Sequence, residues 1–236
     1  MATTSPPIDL SKAKLVGFPL AGEWVALNTP AEKVPSHGTD CFGQRYAFDF
    51  VRLNSSGHKF YDQPLWKHFL GRLPVGSFLA FDQPVLAAFS GTVIGIGDGW
   101  PDRKLINAFW EMARASLFAV PARQDDYRPL VGNYALISGW AGVALYAHLR
   151  EGSLRVQAGD EVIEGQVIAV VGNSGNSTMP HLHFQVMSGP DPFTAEGVLC
   201  GFKNYERLTP RGWEQVATGV PSLMERIRVD APADDV

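Results

Sequence analysis

The sequence is poor in cysteine and has no long apolar run. Only 2 of its 236 residues are cysteine, Cys41 and Cys200, and neither belongs to a Cys-x-x-Cys pair. A zinc site built from cysteines is therefore not expected, and two unpaired thiols are favoured over a disulfide. No apolar segment approaches the roughly 20 residues that a membrane-spanning helix needs, so we expect no membrane insertion.

The chain also lacks an excess of basic residues. Its 20 Lys and Arg stand against 24 Asp and Glu, which gives a formal net charge of -4 at pH 7. Nucleic acid and anionic lipid both require a basic patch, so neither is expected as a partner. The N-terminal stretch MATTSPPIDLSKAKLVGF lacks the continuous apolar core of a secretory signal. We therefore expect the chain as given to be unexported, and a cell-envelope or secreted location would require a native leader outside it.

What the sequence does contain is a succession of short apolar runs, punctuated by 24 glycines and 17 prolines. Runs of this length joined by turn residues are typical of strands. The pattern predicts a mainly β fold. The predicted strands are 24–28, 44–53, 77–80, 84–87, 91–97, 134–139, 143–149, 166–171 and 181–187.

One segment departs from the strand pattern. Residues 102–118, DRKLINAFWEMARASLF, follow a helix-start sequence, Trp100-Pro101-Asp102, and end shortly before Pro121. We predict an amphipathic helix inserted between strands, with its aromatic and methionine side chains facing the core. The residues at helical spacing are Leu105, Ile106, Phe109, Met112, Ala113 and Leu117.

Two histidines one residue apart lie in the stretch VVGNSGNSTMPHLHFQV at 170–186. Because side chains alternate along a strand, His181 and His183 are expected on the same face, about 6–7 Å apart, with Leu182 and Phe184 facing the core. Two imidazoles in one cleft can serve as metal ligands, as acid–base groups or as one of each.

Other candidate residues come from separate parts of the chain. His148 ends the predicted strand VALYAHL, and His37 lies in the turn-rich loop PSHGTDCFG. Asp49 stands between two phenylalanines in the strand YAFDFV. A carboxylate buried there without a partner costs several kcal/mol, which a metal ion would relieve.

The set His37, Asp49 and His183 fits zinc. Two imidazoles and one carboxylate leave a fourth position open, which is the arrangement of a catalytic rather than a structural zinc site. The sequence has no His-Glu-x-x-His, so the helical zinc-protease arrangement is excluded. His148 and His181 would remain free to move protons or to stabilise charge.

These residues resemble a known family. The run LYAHLREGSLRVQAGDEVIEGQVIAVVGNSGNSTMPHLHFQV (145–186) is similar to the core of the M23 peptidases, the LytM or lysostaphin-type zinc endopeptidases. The matching elements are the strand-end histidine of YAHL, the stretch V-x-x-GD-x-V-x-x-GQ, GNSGNST and PHLHF. Upstream, PVLAAFSGTV (84–93) and GNYALISG (132–139) resemble the strands that precede this core. The resemblance extends over about residues 35 to 190, with insertions.

The resemblance implies an antiparallel β-sandwich or barrel-like hybrid of the LytM type, with one helical insertion. It implies one zinc ion per chain, held by His37, Asp49 and His183, and two catalytic histidines, His148 and His181. Family members cleave peptide bonds, commonly in the stem or cross-bridge peptides of bacterial peptidoglycan.

One departure from the family pattern concerns the carboxylate ligand. The family usually has three residues between its first histidine and the aspartate, whereas Asp40 is three positions after His37 and Asp49 is twelve. Asp49 is favoured because YAFDFV resembles the family's aspartate-bearing strand.

The resemblance to the M23 peptidases also predicts how the chain is organised. Residues 1–34 form a lead-in strand and loop, and residues 35–205 form the peptidase-like domain, with insertions at about 54–76 and 100–130. Residues 206–236 form a partly flexible extension, less regular from Arg207 onward and interrupted by Pro210 and Pro221.

Three alternatives to a peptidase stay open at this point. A LytM-like module without activity could bind or activate a partner, although it would not need all five candidate residues. A phosphocarrier of the glucose-type IIA fold uses two facing histidines, but needs neither Asp49 nor PHLHF. The V-x-x-GD-x-V-x-x-GQ pattern recurs in biotinyl and lipoyl carriers, but no lysine stands at a hairpin tip here.

Overall fold

The computed structural model of the protein describes residues 8–54, 57, 59–64, 66–67, 71–107, 109–111, 113 and 126–230. These residues form a mainly β fold, as predicted. The strands are β1 (Lys14–Val16), β2 (Gly22–Asn28), β3 (Phe48–Val51), β4 (Leu73–Pro74), β5 (Pro84–Leu86), β6 (Gly91–Gly97), β7 (Leu105–Ile106), β8 (Asn133–Gly139), β9 (Gly142–Leu149), β10 (Glu161–Val162), β11 (Val167–Val170), β12 (Leu182–Met187), β13 (Gly197–Val198), β14 (Cys200–Thr209), β15 (Gly212–Gly219) and β16 (Arg226–Val229). The helical segments that the structure describes from end to end are an α-helix, Arg128–Val131, and three 3₁₀ turns, Leu10–Lys12, Cys41–Tyr46 and Val75–Ser77.

Twelve strands form one sheet. Its order is β1-β14-β16-β2-β3-β12-β9-β8-β6-β10, with β13 beside β12 and β15 beside β14. The pairing is antiparallel apart from β1 with β14. Two-stranded ribbons, β5 with β11 and β4 with β7, complete the β structure of the described residues. The strand β12 is therefore interior, with β3 on one side and β9 on the other.

The two faces of β12 carry different kinds of residue. Leu182 and Phe184 are completely buried in the main core, as the alternation predicts. His183 and Gln185 point to the opposite face. In the register of the sheet, His183 lies opposite Asp49 on β3 and opposite Ala147 on β9. Strand pairing alone thus brings together residues that are far apart in sequence.

The core on the Leu182 face is rich in aromatic rings. Phe48 and Phe50 of β3 stack with their centroids 5.5 Å apart, and Phe202 of β14 meets Phe48 edge-on at 5.0 Å. Such pairs add about 0.5–1.5 kcal/mol each to the energy of burial. A smaller cluster on the opposite face supports the sheet beside the histidines; it consists of Leu136, Val143, Leu145, Ala147 and Met187.

The helix predicted over 102–118 is wrong at its start. Leu105–Ile106 form β7, paired with β4, and the described residues 109–111 and 113 are helical, while position 108 lies outside the described residues. Ile106 is buried against Tyr61, so its packing overrides the helical spacing. Phe109 and Trp110, expected in the core, are 64% and 65% exposed. Positions 112 and 114–118 lie outside the described residues.

Other differences concern strands. Eight of the nine predicted strands are present, 91–97 with the predicted ends and the other seven with shifted ends. The exception is 77–80, where a 3₁₀ turn is followed by a single bridge between Phe78 and Tyr61. The segment from Arg207 onward, expected to be irregular, belongs to β14, β15 and β16, and the predicted boundary at 205/206 falls inside β14. Pro210 lies in the turn between β14 and β15, where proline is compatible with a hairpin. Positions 231–236 lie outside the described residues, and the division into domains stays a prediction.

The two cysteines are both free. Cys41 is exposed and Cys200 is buried, in agreement with the unpaired thiols favoured from the sequence. None of the helices in the described part of the chain is long and apolar enough to cross a membrane.

Candidate metal centre

His37, Asp49 and His183 come together at one end of the interior strands. His37 Nε2 lies 2.9 Å from Asp49 Oδ2, and His183 Nδ1 lies 2.9 Å from Asp49 Oδ1. The three possible ligand atoms are all within 4.8 Å of one another. The pair Asp49 and His183 follows from the register of β3 and β12, whereas His37 arrives from the loop that precedes the Cys41–Tyr46 turn.

The second ring nitrogen of each of these histidines is engaged by a neighbour. Ser36 Oγ lies 3.1 Å from His37 Nδ1 and donates its own hydrogen to the carbonyl of Gln44 at 3.3 Å, so it accepts from Nδ1–H. Gln185 Oε1 lies 2.8 Å from His183 Nε2 and accepts from it. Because hydrogen bonds at one nitrogen fix the role of the other, the nitrogens that face Asp49, His37 Nε2 and His183 Nδ1, are the ones that carry a lone pair when the rings are neutral.

This donor set fits a metal ion. Two nitrogen lone pairs and a carboxylate cannot face each other at 2.9 Å unless a cation or a proton lies between them. Zinc takes nitrogen and carboxylate oxygen ligands, and the amide of Asn28, 2.7 Å from Asp49 Oδ2, holds the carboxylate from behind. The residues present are therefore suited to zinc.

The pKa values of the metal-free protein agree with this interpretation. Burial would raise the pKa of Asp49, but its attraction to the protonated forms of His181 and His37 and its hydrogen bonds with His183 and His37 hold it well below its usual value. Burial opposes the protonation of His183, yet its hydrogen bond to Asp49 raises its pKa overall. Without metal, Asp49 therefore favours the protonated form of His183, and a metal ion would displace that proton.

His148 and His181 lie next to the three possible ligands. Their ring centroids are 4.7 Å apart, and His181 Nε2 is 3.5 Å from Asp49 Oδ1. His148 Nδ1 donates to the carbonyl of Ser174 at 2.9 Å, and His181 Nδ1 donates to the carbonyl of Met179 at 2.7 Å. Because a carbonyl oxygen only accepts, Nδ1 carries the hydrogen in both rings and Nε2 keeps its lone pair.

Both of these histidines are neutral in the folded protein at neutral pH. Burial lowers the pKa of His148 well below its usual value, and repulsion by the protonated forms of His181 and His183 lowers it further. Burial also lowers the pKa of His181, against the attraction of Asp49. Two neutral imidazoles with free Nε2 lone pairs are able to accept a proton at this place.

A buried polar network holds His148. The residue has a left-handed backbone, with φ of 60°, at the end of β9. Ser174 Oγ accepts from the backbone N–H of Asn133 at 2.9 Å and donates to the carbonyl of Leu149 at 2.7 Å, while the Asn133 amide donates to the same carbonyl at 3.0 Å. Asn133 and Ser174 are completely buried. These contacts fix the backbone on both sides of the hydrogen bond to His148.

Several supporting residues were missed by the sequence reasoning. Gln185 was predictable from the sequence, because it is two residues after His183 and therefore lies on the same face of the strand. Asn28, Ser36, Asn133 and Ser174 had none, since their contacts depend on how separate loops and strands pack.

Asp40, the other possible carboxylate, lies away from the histidines. Its side chain is 60% exposed and forms an ion pair with Arg45, with 2.6 Å between Oδ1 and Nη1. A solvated carboxylate that already has a cationic partner gains little from a metal ion.

A cavity of about 310 Å³ opens beside the five candidate residues. Its lining combines the histidines and Asp49 with further polar and apolar side chains. The polar ones are Asn28, Gln44, Asn176, Thr178 and Gln185, and the apolar ones include Phe42, Tyr127, Leu130, Val131, Leu145 and Pro192. Apolar side chains beside a few convergent polar groups are typical of a ligand-binding site.

Comparison with known proteins gives a match for part of the chain. Residues 119–195 match the family model of peptidase family M23. This segment contains His148, His181 and His183 and begins after His37 and Asp49. The match confirms the resemblance seen in the sequence and supports a peptidase-type hydrolase function.

Solved structures with similar architecture include peptidases. The catalytic domain of lysostaphin from Staphylococcus simulans is 21% identical, with 80% of this chain and 90% of that chain covered and a TM-score of 0.36. The catalytic domain of the prophage-encoded M23 protein EnpA from Enterococcus faecalis, in the form of a point mutant, is 17% identical, with 80% and 95% covered and a TM-score of 0.41. A zinc-containing peptidase from Vibrio cholerae is 20% identical, with 78% and 36% covered and a TM-score of 0.33.

Proposed function

We propose that this protein is a zinc-dependent endopeptidase that hydrolyses peptide bonds in peptidoglycan stem or cross-bridge peptides. The observation that carries the proposal is the convergence of His37 Nε2, His183 Nδ1 and the Asp49 carboxylate, whose lone pairs face one another at the edge of a cavity. The family match over residues 119–195 supports the peptidase class, and the motif resemblance supplies the substrate class.

In this proposal, His37, Asp49 and His183 would hold one zinc ion. Zinc supplies a Lewis acid that activates water and polarises the carbonyl group of the peptide bond. Neighbouring residues of the chain hold the three ligand side chains in position. Gln185 and Ser36 orient the two ligand imidazoles, and Asn28 orients the carboxylate.

His148 and His181 would handle protons. Their Nε2 lone pairs are free, and both rings are neutral at pH 7, so either can take a proton and return it to the leaving amine. After protonation, either ring can also donate a hydrogen bond to a developing oxyanion. Buried carbonyl partners hold each ring in one orientation, which lowers the cost of reaching the reactive geometry.

The decisive experiment combines metal content with peptide hydrolysis. We expect about one zinc per purified chain and release of new amino groups from purified peptidoglycan. Chelation should abolish the release and added zinc should restore it. His183→Ala, prepared in parallel, should have neither zinc nor activity.

A chain that binds zinc but cleaves no peptide would contradict the proposal in favour of a binding or activator module. A chain that neither holds zinc nor can be reloaded would contradict both the metal assignment and the activity.

A further inference from the structure

Gln185 connects the possible ligand His183 to the backbone of a neighbouring turn. Its side chain lies on β12, 1% exposed, with Oε1 2.8 Å from His183 Nε2 and Nε2 2.6 Å from the carbonyl oxygen of Phe42. The Phe42 oxygen can only accept, so the amide nitrogen must face it. The amide oxygen is then directed at His183, where it accepts the Nε2 hydrogen.

The turn that supplies this carbonyl has an unusual backbone. Phe42 has φ of 60° and ψ of 25°, and Gly43 follows with φ of 64°. A non-glycine residue in the left-handed region is strained, so the surrounding contacts must maintain it. The turn lies tight against β12, because a Cβ at Gly43 would come within 2.8 Å of Met187 Cγ and 3.3 Å of Gln185 Nε2.

We propose that Gln185 is a positioning residue that selects the metal-binding form of His183. The Phe42 carbonyl fixes the amide, the amide fixes the hydrogen on Nε2, and Nδ1 is left with its lone pair towards Asp49. The part that concerns metal affinity rests on the proposed zinc site. Phe42 also lines the cavity. Gln185 therefore links this part of the cavity lining to the possible metal ligand His183.

Two substitutions separate the two hydrogen bonds. Gln185→Met keeps the length of the side chain and removes both bonds. Gln185→Glu keeps an acceptor for His183 but cannot donate to Phe42. Gln215→Met, at an exposed position of β15, makes the same chemical change away from the site and serves as control.

Two readouts are used, and neither needs turnover. Zinc affinity, measured by competition with a chelator, should fall about 10- to 100-fold in Gln185→Met, as is typical for loss of an outer hydrogen-bond partner of a metal ligand. It should be largely restored in Gln185→Glu and unchanged in Gln215→Met. In the metal-free protein, Asp49 faces Nδ1 and favours its protonation, so ¹⁵N NMR is used to observe Nε2. The Nε2–H of His183 should show a hydrogen bond in wild type and Gln185→Glu, and none in Gln185→Met.

Two results would overturn the proposal. One is zinc affinity within twofold of wild type in Gln185→Met together with an unchanged ¹⁵N signal of His183 Nε2. The other is a Gln185→Glu variant as impaired as Gln185→Met, because the acceptor for His183 would then not be what matters. If Gln185→Met does not fold, Gln185→Glu is compared with wild type by zinc affinity and by the Nε2 signal.

A wild-type protein that binds zinc but cleaves no peptide would contradict the proposed function and leave this proposal intact. If the wild type binds no zinc, the proposed function fails, and the hydrogen bond of His183 Nε2 in the metal-free protein still tests the role of Gln185.

Discussion

Asp49 on β3 lies directly opposite His183 on β12, and their side chains meet with 2.9 Å between Oδ1 and Nδ1. The two residues are 134 positions apart in sequence. Because neighbours in antiparallel strands project to the same face, this register gives the carboxylate a nitrogen partner without help from any loop. The same register leaves the pair buried, where a metal ion interacts with it more strongly than in water.

Replacing Asp49 with Ala should remove the zinc and the activity together. The Asp49 carboxylate supplies the oxygen ligand of the proposed site and contacts both His37 and His183. Without it, only the two imidazoles would remain as ligands. Asp40→Asn is the matched control and should keep its zinc, because Asp40 is exposed and paired with Arg45. Elemental analysis after dialysis measures both. Zinc retained in Asp49→Ala but lost in Asp40→Asn would transfer the ligand role to Asp40.

Replacing either proton-handling histidine should separate metal binding from turnover. His148→Ala and His181→Ala should hold about one zinc, since neither residue belongs to the set of possible ligand atoms that lie within 4.8 Å of one another. Turnover should fall about 10²- to 10⁴-fold, the usual contribution of acid–base catalysis. Rates at saturating peptide and zinc content should be measured on the same samples. Loss of zinc from His181→Ala would mean that the roles of His181 and His183 are interchanged.

Ser174→Ala should destabilise the fold. The substitution leaves the Asn133 N–H without its acceptor and removes a donor from the Leu149 carbonyl, both in a buried region. We expect a loss of about 1–3 kcal/mol in the free energy of unfolding. Ser222→Ala, at an exposed position, should change it by less than about 0.5 kcal/mol. Urea unfolding of the metal-free proteins makes the comparison, and equal midpoints for the two variants would contradict a structural role for this network.

Acid should destabilise the metal-free protein through His148. Burial holds the pKa of His148 well below 6.5 in the folded state, so the unfolded chain binds the extra proton first. The contribution of His148 to stability is therefore present above pH 6.5 and declines as the pH falls through that value, by up to about 1.4 kcal/mol per pH unit.

The variant His148→Gln isolates this effect, because Gln can still donate to the Ser174 carbonyl but does not titrate. Between pH 7.5 and pH 5.5, the wild type should lose more of its unfolding free energy than His148→Gln does. Asp49, with its lowered pKa, and His183, with its raised pKa, are present in both proteins, so their effects cancel in the difference. A difference that does not change with pH would contradict a neutral, buried His148.

How well the sequence predicts the site depends on the kind of element that carries each residue. The alternation of β12 placed His183 opposite the core face correctly, and YAFDFV identified the strand of Asp49. The strand 44–53 was predicted too long, because the left-handed backbone at Phe42 and Gly43 turns its first residues into a 3₁₀ segment. No periodicity describes such a kink, and the approach of His37 depends on it. At the C-terminus, proline was taken as a sign of irregular structure, whereas Pro210 lies in a hairpin turn.

The interior position of β12 has a consequence for hydrogen exchange. Its amides are paired on both sides, with β3 and with β9, so their exchange requires the opening of a large part of the sheet. The loop that carries His37 belongs to no strand ladder and can open alone at much lower cost. A metal ion at this centre would connect a strand whose amides are paired on both sides to a loop whose amides exchange faster. Release of the metal ion should then first reduce the exchange protection of the amides in the loop around His37, while His183 stays in place.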